Sequence, residues 1–245
     1  MRFSHRSSDP PTFRSVASAT AVGRVRDHNE DTVRVNENAA LLLVADGMGG
    51  HAAGEVASRI AADMTESAVV ALGSGLGDAL VEANSAVLTA ARDGRGSPGM
   101  GTTCAACRRV ADGLELAWVG DSRVYRLRDG HLRRLSHDHS YVQTLVDSGM
   151  LAPEDAERHP ERNILSLCIG NGELARTDVG ETVHSLQPGD RVLVCSDGLT
   201  GELSDATIED LLVRYPDDRE AVNALIDAAL DAGGRDNVTV IVATA

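Results

Sequence analysis

The sequence has few aromatic residues, few positive charges and no long apolar segment. Lysine and arginine number 23 against 37 acidic residues in a chain of 245, which gives a formal net charge of −14. Nucleic acid and anionic membranes favour a basic surface, so neither is an expected partner. No apolar run approaches the ~20 residues that span a bilayer, and the first eleven residues contain no signal-peptide core. We therefore expect a cytoplasmic protein, and a monomer.

Cysteine is also scarce, and the four cysteines do not form a convincing framework. Cys104 and Cys107 have the C-x-x-C spacing of a zinc or redox site, but the surrounding segment GTTCAACRRV is typical of a β-strand. Residues three apart on a strand point to opposite faces. We interpret both as small core residues, and Cys168 and Cys195 likewise. A chain of this length buries roughly three-quarters of its unfolded surface and needs no disulfide or structural metal.

Hydrophobic periodicity and turn residues predict strands in hairpins and helices in pairs. The predicted strands are 13–20, 32–36, 39–45, 102–110, 114–119, 123–128, 131–135, 176–186, 191–195 and 237–243. The predicted helices are 53–72, 78–92, 140–148, 153–158, 205–214 and 218–231. This order indicates an α+β fold with helix pairs packed outside antiparallel sheets. We expect residues 1–12 to be a loose leader and residues 13–245 to form a single domain.

The most informative pattern is an Asp placed where an apolar strand ends or begins. Three of these residues follow a strand and two precede one: Asp46, Asp121 and Asp197, then Asp31 and Asp236. Any one of them could simply form a turn or cap a helix. Carboxylates gathered from several strand ends repel one another unless cations neutralise them, and oxygen ligands favour Mg²⁺ or Mn²⁺ over zinc. Two such cations can share a water and lower its pKa enough to make a nucleophile.

Six motifs, in order, carry a resemblance to a known family. They are GRVRDHNED (23–31), VADGMGGH (44–51), GTT (101–103), VGDSR (119–123), CSDGL (195–199) and GRDNV (234–238). The set resembles the PPM (type 2C) metal-dependent protein serine/threonine phosphatases, bacterial stand-alone catalytic domains in particular. The resemblance implies a four-layer α/β/β/α sandwich of two antiparallel sheets flanked by antiparallel helix pairs. It also implies hydrolysis of phosphoserine and phosphothreonine in substrates of a serine/threonine kinase, by water or hydroxide bridging two Mn²⁺ or Mg²⁺ ions, without a phosphoenzyme.

The same resemblance assigns the ligands. Asp46 would bridge both ions, with the Gly47 carbonyl on one of them, and Glu30 would hold a metal-bound water. Asp31, Asp197 and Asp236 would complete the other side of the pair. In bacterial relatives a third, weaker ion uses the positions of Asp121 and Asp197. Asp121 could instead cap the turn before strand 123–128.

Arg26 occupies the position of the family's phosphate-binding arginine, three residues before Asn29. A planar guanidinium suits this role because it grips two phosphate oxygens at once. Arg24, which we expect on the same strand face, is interpreted as a surface charge. Arg26 has the same alternative interpretation, although its spacing to the N-E-D motif favours the phosphate role.

The chain departs from the pattern at Met48, where many eukaryotic members have a histidine that is thought to protonate the leaving group. His51 could replace it or could mark a helix start. His137 and His139 could form a metal pair, but their spacing fits capping and loop packing better. Residues 150–170 resemble the flap beside the family's active site. The sequence leaves open two other functions, a non-catalytic binding module for phosphoproteins and a hydrolase of small phosphoesters.

Overall fold

The computed structural model describes residues 12–49, 53–111 and 113–245, so nearly all of the expected leader (1–12), and His51, lie outside the described residues. The strands are β1 (Ser15–Ala21), β2 (Asp31–Asn36), β3 (Leu41–Met48), β4 (Gly101–Thr102), β5 (Cys104–Val110), β6 (Gly113–Val119), β7 (Arg123–Arg128), β8 (His131–Arg134), β9 (Gly180–His184), β10 (Arg191–Cys195) and β11 (Val238–Thr244). The helices are α1 (Ala53–Ala71), α2 (Leu76–Arg92), α3 (Tyr141–Asp147), α4 (Pro153–Ala156), α5 (Asp197–Thr200), α6 (Asp205–Arg214) and α7 (Asp218–Ala232).

These strands form two antiparallel sheets. The first has the order β1-β11-β10-β7-β8, and the second has the order β2-β3-β5-β6-β9, with β4 paired to β3. Helices α1 and α2 pack on the second sheet, while α6 and α7 pack on the first. The α+β class and the α/β/β/α layering expected from the sequence are therefore confirmed. No helix in the described part of the chain is long and apolar enough to cross a membrane.

Alternation along each strand produces three apolar layers. One lies between α1, α2 and the second sheet, one between the two sheets, and one between the first sheet and α6, α7. Cys104 belongs to the first layer and Cys107 to the layer between the sheets, so the two thiols point to opposite faces of β5. All four cysteines are free thiols. The C-x-x-C spacing therefore reflects strand packing.

Several local predictions were wrong. Segment 176–186 begins with a 3₁₀ turn at Arg176–Asp178 and extends only over Gly180–His184, and segment 102–110 is interrupted at Thr103. Arg24 and Arg26 do not share a strand face, because β1 ends at Ala21 and Gly23 turns the chain at φ +86°. Helix α5, directly after β10, was not predicted, since one turn of helix leaves no periodicity to detect.

Candidate active site

The predicted site residues come together at one end of the sandwich. The start of β2 lies beside the end of β3, and the end of β10 lies beside the start of β11. Asp31 is the first residue of β2, Asp46 lies near the end of β3, and Asp197 begins α5. Asp236 precedes β11 and Asp121 follows β6. Antiparallel pairing thus brings five carboxylates from distant parts of the sequence to one end of the sandwich, which we call the carboxylate edge.

Asp31 and Asp46 are direct register partners across the β2–β3 pair. Beyond Asp46 the backbone of β3 runs very close to the start of α1, since a Cβ on Gly47 would lie 2.2 Å from the carbonyl oxygen of Gly54. Only glycine fits this approach. The Glu30 carboxyl group also lies close to Gly54, since a Cβ on Gly54 would be 2.8 Å from the carboxyl carbon of Glu30. An anionic group is favourable at a helix N-terminus.

Two threonines fix the backbone of Asp46. The Thr102 hydroxyl and the Thr103 amide both donate to the carbonyl oxygen of Asp46 at 2.8 Å, and the Asp46 amide donates to Thr103 Oγ1 at 3.1 Å. Thr103 is buried and its hydroxyl also pairs with Ser122 Oγ at 2.7 Å. The GTT motif thus fixes the backbone of Asp46, a role that the sequence alone did not indicate.

Two further residues that the sequence analysis missed tie the two halves of the site together. Ser196 Oγ donates to Asp31 Oδ2 at 2.8 Å and accepts from the Thr239 amide at 3.0 Å, which joins the two sheets. Asn237 Oδ1 accepts from the Glu30 amide at 2.8 Å. Its Nδ2 donates to the carbonyls of Val22 and His28 at 2.8 and 2.9 Å. Both residues directly adjoin a predicted ligand, which is the signal that could have indicated them.

The carboxylates strongly perturb one another. Burial, and then the charges of Asp197 and Asp236, raise the pKa of Asp31 to about 6 despite hydrogen bonds from Thr239 and Ser196 that lower it. Burial is also the main cause that raises the pKa values of Asp46, Asp121 and Asp197, and neighbouring Asp charges raise them further. Protein groups alone therefore leave this cluster of negative charge only partly compensated.

The donor set fits hard cations. Oδ1 of Asp31 and Oδ1 of Asp197 are buried without a hydrogen-bond partner among the described residues, and such acceptors require an explanation. No three His, Cys, Asp or Glu side chains in that part of the chain close tightly around one point. Mg²⁺ and Mn²⁺ do not require such a cage, since Mg²⁺ keeps several waters and binds through one or two carboxylates. A site with few carboxylate ligands for each ion, completed by water, is thus the expected geometry.

Arg26 and Arg24 point to different places. Arg26 Nη2 donates to Asp236 Oδ2 at 2.7 Å, and its side chain remains 54% exposed. The hydrogen bond to Asp236 and then the charge of Asp236, with smaller contributions from Asp46 and Asp197, raise the pKa of Arg26, although burial opposes the shift. Arg24 instead donates to the Leu230 carbonyl and to Asp231, near the end of α7. Arg26 alone of the two faces the carboxylates with an accessible guanidinium.

A cleft of about 820 Å³ opens beside this edge. Its lining includes Asp121, Asp197 and residues of the segments around α3 and α4. The segment that resembles a flap therefore forms part of the cleft, through Pro153, Arg158 and Asn163 among others. Any ligand in it would reach the carboxylates directly.

The two histidines near this cleft contact different partners. His137 Nε2 pairs with Asp147 Oδ2 at 2.8 Å, whereas His139 stacks on Trp118 and accepts from the Gly120 amide at 3.3 Å. Burial lowers the pKa of His139, which keeps it neutral. The structure thus places the two imidazoles in loop packing, as the spacing suggested.

Comparisons with known proteins identify the family. The sequence profile described as Protein phosphatase 2C matches residues 21–232. The chain belongs to this family.

Relatives and solved structures extend the comparison. The serine/threonine protein phosphatase PstP of Mycobacterium tuberculosis (strain H37Rv) is 44% identical over 227 residues, which cover 90% of this chain but 43% of PstP. The serine/threonine phosphatase stp of Listeria welshimeri is 36% identical over 89% of this chain and 91% of its own length. The crystal structure of the PstP catalytic domain with two manganese ions has a TM-score of 0.83 and 38% identity, and covers 94% of this chain and 97% of that one.

Proposed function

We propose that this chain is a Mn²⁺- or Mg²⁺-dependent protein phosphatase that hydrolyses phosphoserine and phosphothreonine. The observation that supports it most is the cluster of carboxylates at one end of the sandwich. There Asp31 and Asp46 are register partners, and Oδ1 of Asp31 and Oδ1 of Asp197 are buried without a hydrogen-bond partner among the described residues. Family membership, and the serine/threonine phosphatases PstP and stp among the relatives, support the reaction class.

The proposed ligands divide around one shared residue. Asp46 would contact both ions, with the Gly47 carbonyl on one side and Asp31, Asp197 and Asp236 on the other. Glu30 would orient a water, and Asp121 with Asp197 would hold a weaker third ion. The bound ions would supply a water of lowered pKa and a positive charge that stabilises the transferring phosphoryl group. The two manganese ions in the PstP catalytic domain structure support a centre of two ions.

The chain's own groups would position the substrate. Arg26, accessible and directed at the carboxylates, would bind phosphoryl oxygens and orient the group for in-line attack. The adjoining cleft, lined by Asp121 and Asp197 and in part by the segment that resembles a flap, would accept the peptide around the phosphorylated residue, and the flap residues would determine which sequences enter. Met48 has no proton to donate to the leaving serine oxygen, so another group or a water would supply it.

The partners we propose are therefore phosphorylated proteins, made by a serine/threonine kinase. Four free thiols, three of them buried, suit the reducing compartment that cytoplasmic action requires.

Turnover of a phosphothreonine peptide and of a small phosphoester, each measured with EDTA and then with added Mn²⁺, tests the proposal. We expect both activities to be lost in EDTA and restored by Mn²⁺, with the peptide preferred. Full activity in chelator would refute the metal mechanism. Phosphopeptide binding without any turnover would indicate a binding module, and preference for the small ester would indicate the other alternative.

A further inference from the structure

The two sheets carry an unusual cluster of positive charge at one open edge of the sandwich. Strand β8 is the edge of the first sheet and β9 is the edge of the second. Arg126 on β7 and Arg133 on β8 are direct register partners, so their side chains share a face. That face is the one between the sheets, because Arg126 also pairs with Val192, which packs in the inter-sheet layer.

The opposite sheet contributes a histidine to the same open edge of the sandwich. His184 is the register partner of Leu114, which belongs to the inter-sheet layer. Arg126 and Arg128 both donate to the carbonyl of Ser185, the residue after His184, which brings the two sheets' groups together. Burial, and then the charges of Arg126 and Arg133, lower the pKa of His184. We call Arg126, Arg128, Arg133 and His184 the edge cluster.

Protein acids neutralise only part of this cluster. Asp190 binds Arg128 through two hydrogen bonds, at 2.7 and 2.5 Å, and also accepts from the Gln187 amide. Arg126 donates to the Ser185 carbonyl at 3.1 Å, while its Nε is buried with no partner in the described residues. Arg133 is exposed and forms no ion pair within those residues. Within the described residues the three guanidinium groups of the cluster thus form an ion pair with a single carboxylate, Asp190, which Arg128 already binds.

The fold itself does not account for this arrangement. Like charges directly opposite each other on an antiparallel pair destabilise it. The protein as a whole carries a net charge of −14, so acidic side chains outnumber basic ones and a cluster of basic side chains is unexpected. Arg126 is also fixed in place by Ser185, which reduces the entropy that a ligand contact would cost.

We propose that the edge cluster is a second anion site that binds a phosphate group, separate from the carboxylate edge. The remaining N–H groups of Arg126 and the exposed guanidinium of Arg133 can donate to the oxygens of one dianion, and His184 adds a neutral donor. The phosphate group comes either from free inorganic phosphate or from a phosphorylated protein segment. This inference does not depend on the proposed catalytic function.

The test uses the full chain loaded with Mg²⁺ and labelled with nitrogen-15. The Ser185 amide and the arginine Nε–H signals are followed by NMR during titration with inorganic phosphate. A second titration uses a peptide that carries a non-hydrolysable phosphonate in place of phosphoserine. Saturable shifts at Ser185 and Arg126 with either ligand support the site, and the responding ligand identifies the source.

Arg133→Gln should weaken the affinity of this site by about tenfold to a hundredfold, the effect of one lost charge-assisted contact. Arg133→Lys should retain part of it, and Arg59→Gln, on the exposed face of α1, should change nothing. Without phosphate, Arg133→Gln should melt no lower than the wild type, because it removes a repulsion, and so the variant remains folded for the test. Signals that do not move with either ligand, or that move equally in Arg133→Gln, would overturn the proposal.

Discussion

The guanidinium of Arg26 donates a hydrogen bond to the carboxylate of Asp236 at 2.7 Å. The two residues are brought together by the fold from opposite ends of the chain. The proposed phosphate-binding group and a proposed metal ligand are therefore in direct contact. If Asp236 held a cation, it would interact less strongly with Arg26, whose guanidinium would then be more available for an anionic substrate.

Arg26→Ala should lower kcat/KM for a phosphopeptide by about one to two decades, since it removes a charge-assisted contact worth ~1.5–3 kcal/mol. It should not weaken Mn²⁺ binding, because it removes a positive charge beside a ligand. Steady-state kinetics and calorimetric Mn²⁺ titration measure the two effects. Arg24→Ala, from the same loop but paired with Asp231, is the matched control and should behave as the wild type. Equal losses in both variants would mean that the phosphate site has been misplaced.

Asp46→Asn and Asp197→Asn should each abolish turnover, because both would serve the two central ions. Asp121→Asn should retain both ions and only slow the reaction. Manganese content after desalting, measured together with kcat, separates these effects. A protein with Asp121→Asn that retains neither ion would contradict the assignment of Asp121 to a weaker third site.

The metal-free protein should gain stability from Asp46→Asn at neutral pH. The pKa values of the clustered carboxyls are raised in the folded state, that of Asp31 to about 6 against an ordinary value of 3.8. The folded state thus holds more protons than the unfolded state in this range, so this contribution to stability is lost as pH rises through it. The Asn variant lacks one of the repelling charges.

Thermal melting in EDTA at pH 5 and at pH 7 tests this linkage. The gain in Tm of Asp46→Asn over the wild type should be larger at pH 7 than at pH 5, because Asp31, whose pKa is raised to about 6, loses its proton between the two and adds a negative charge beside Asp46. Asp227→Asn, exposed on α7, is the control and should change little at either pH. A destabilised Asp46→Asn protein in EDTA at pH 7 would show that the carboxylates do not repel as inferred.

Asn237→Ala should destabilise the protein and reduce activity. It leaves two carbonyls, of Val22 and His28, and the Glu30 amide without their partner, and each such loss costs roughly 1–3 kcal/mol where the group stays dry. Urea unfolding, with the midpoint and slope compared, measures the stability loss. Asn38→Ala, in the exposed β2–β3 turn, should lie near the wild type. Unchanged stability in Asn237→Ala would mean that water replaces the amide.

The sequence by itself was sufficient for the fold class and for the choice of candidate residues. Alternating apolar strands, paired amphipathic helices and turn dipeptides are local signals, and the Asp129-Gly130 turn, with φ of +51° and +80°, forms as its composition indicates. Asp residues at strand ends are equally visible, because a charge that interrupts an apolar run stands out. The α+β class could thus be predicted from local signals, whereas the four-layer sandwich was predicted from the resemblance that the six motifs carry.

Only the tertiary structure decided which groups meet. Strand register, which is set by pairing across the chain, made Asp31 and Asp46 neighbours and placed Arg126 opposite Arg133. The loop turned at Gly23 separated Arg24 from Arg26, which their spacing alone put on one face. Ser196 and Asn237 also depended on the fold, since their partners lie far away in the sequence and hydrogen bonds of that kind leave no periodic signal. The sequence order therefore determines which chemical groups are present and where turns form. The distances between those groups and their burial are determined only when the strands pair.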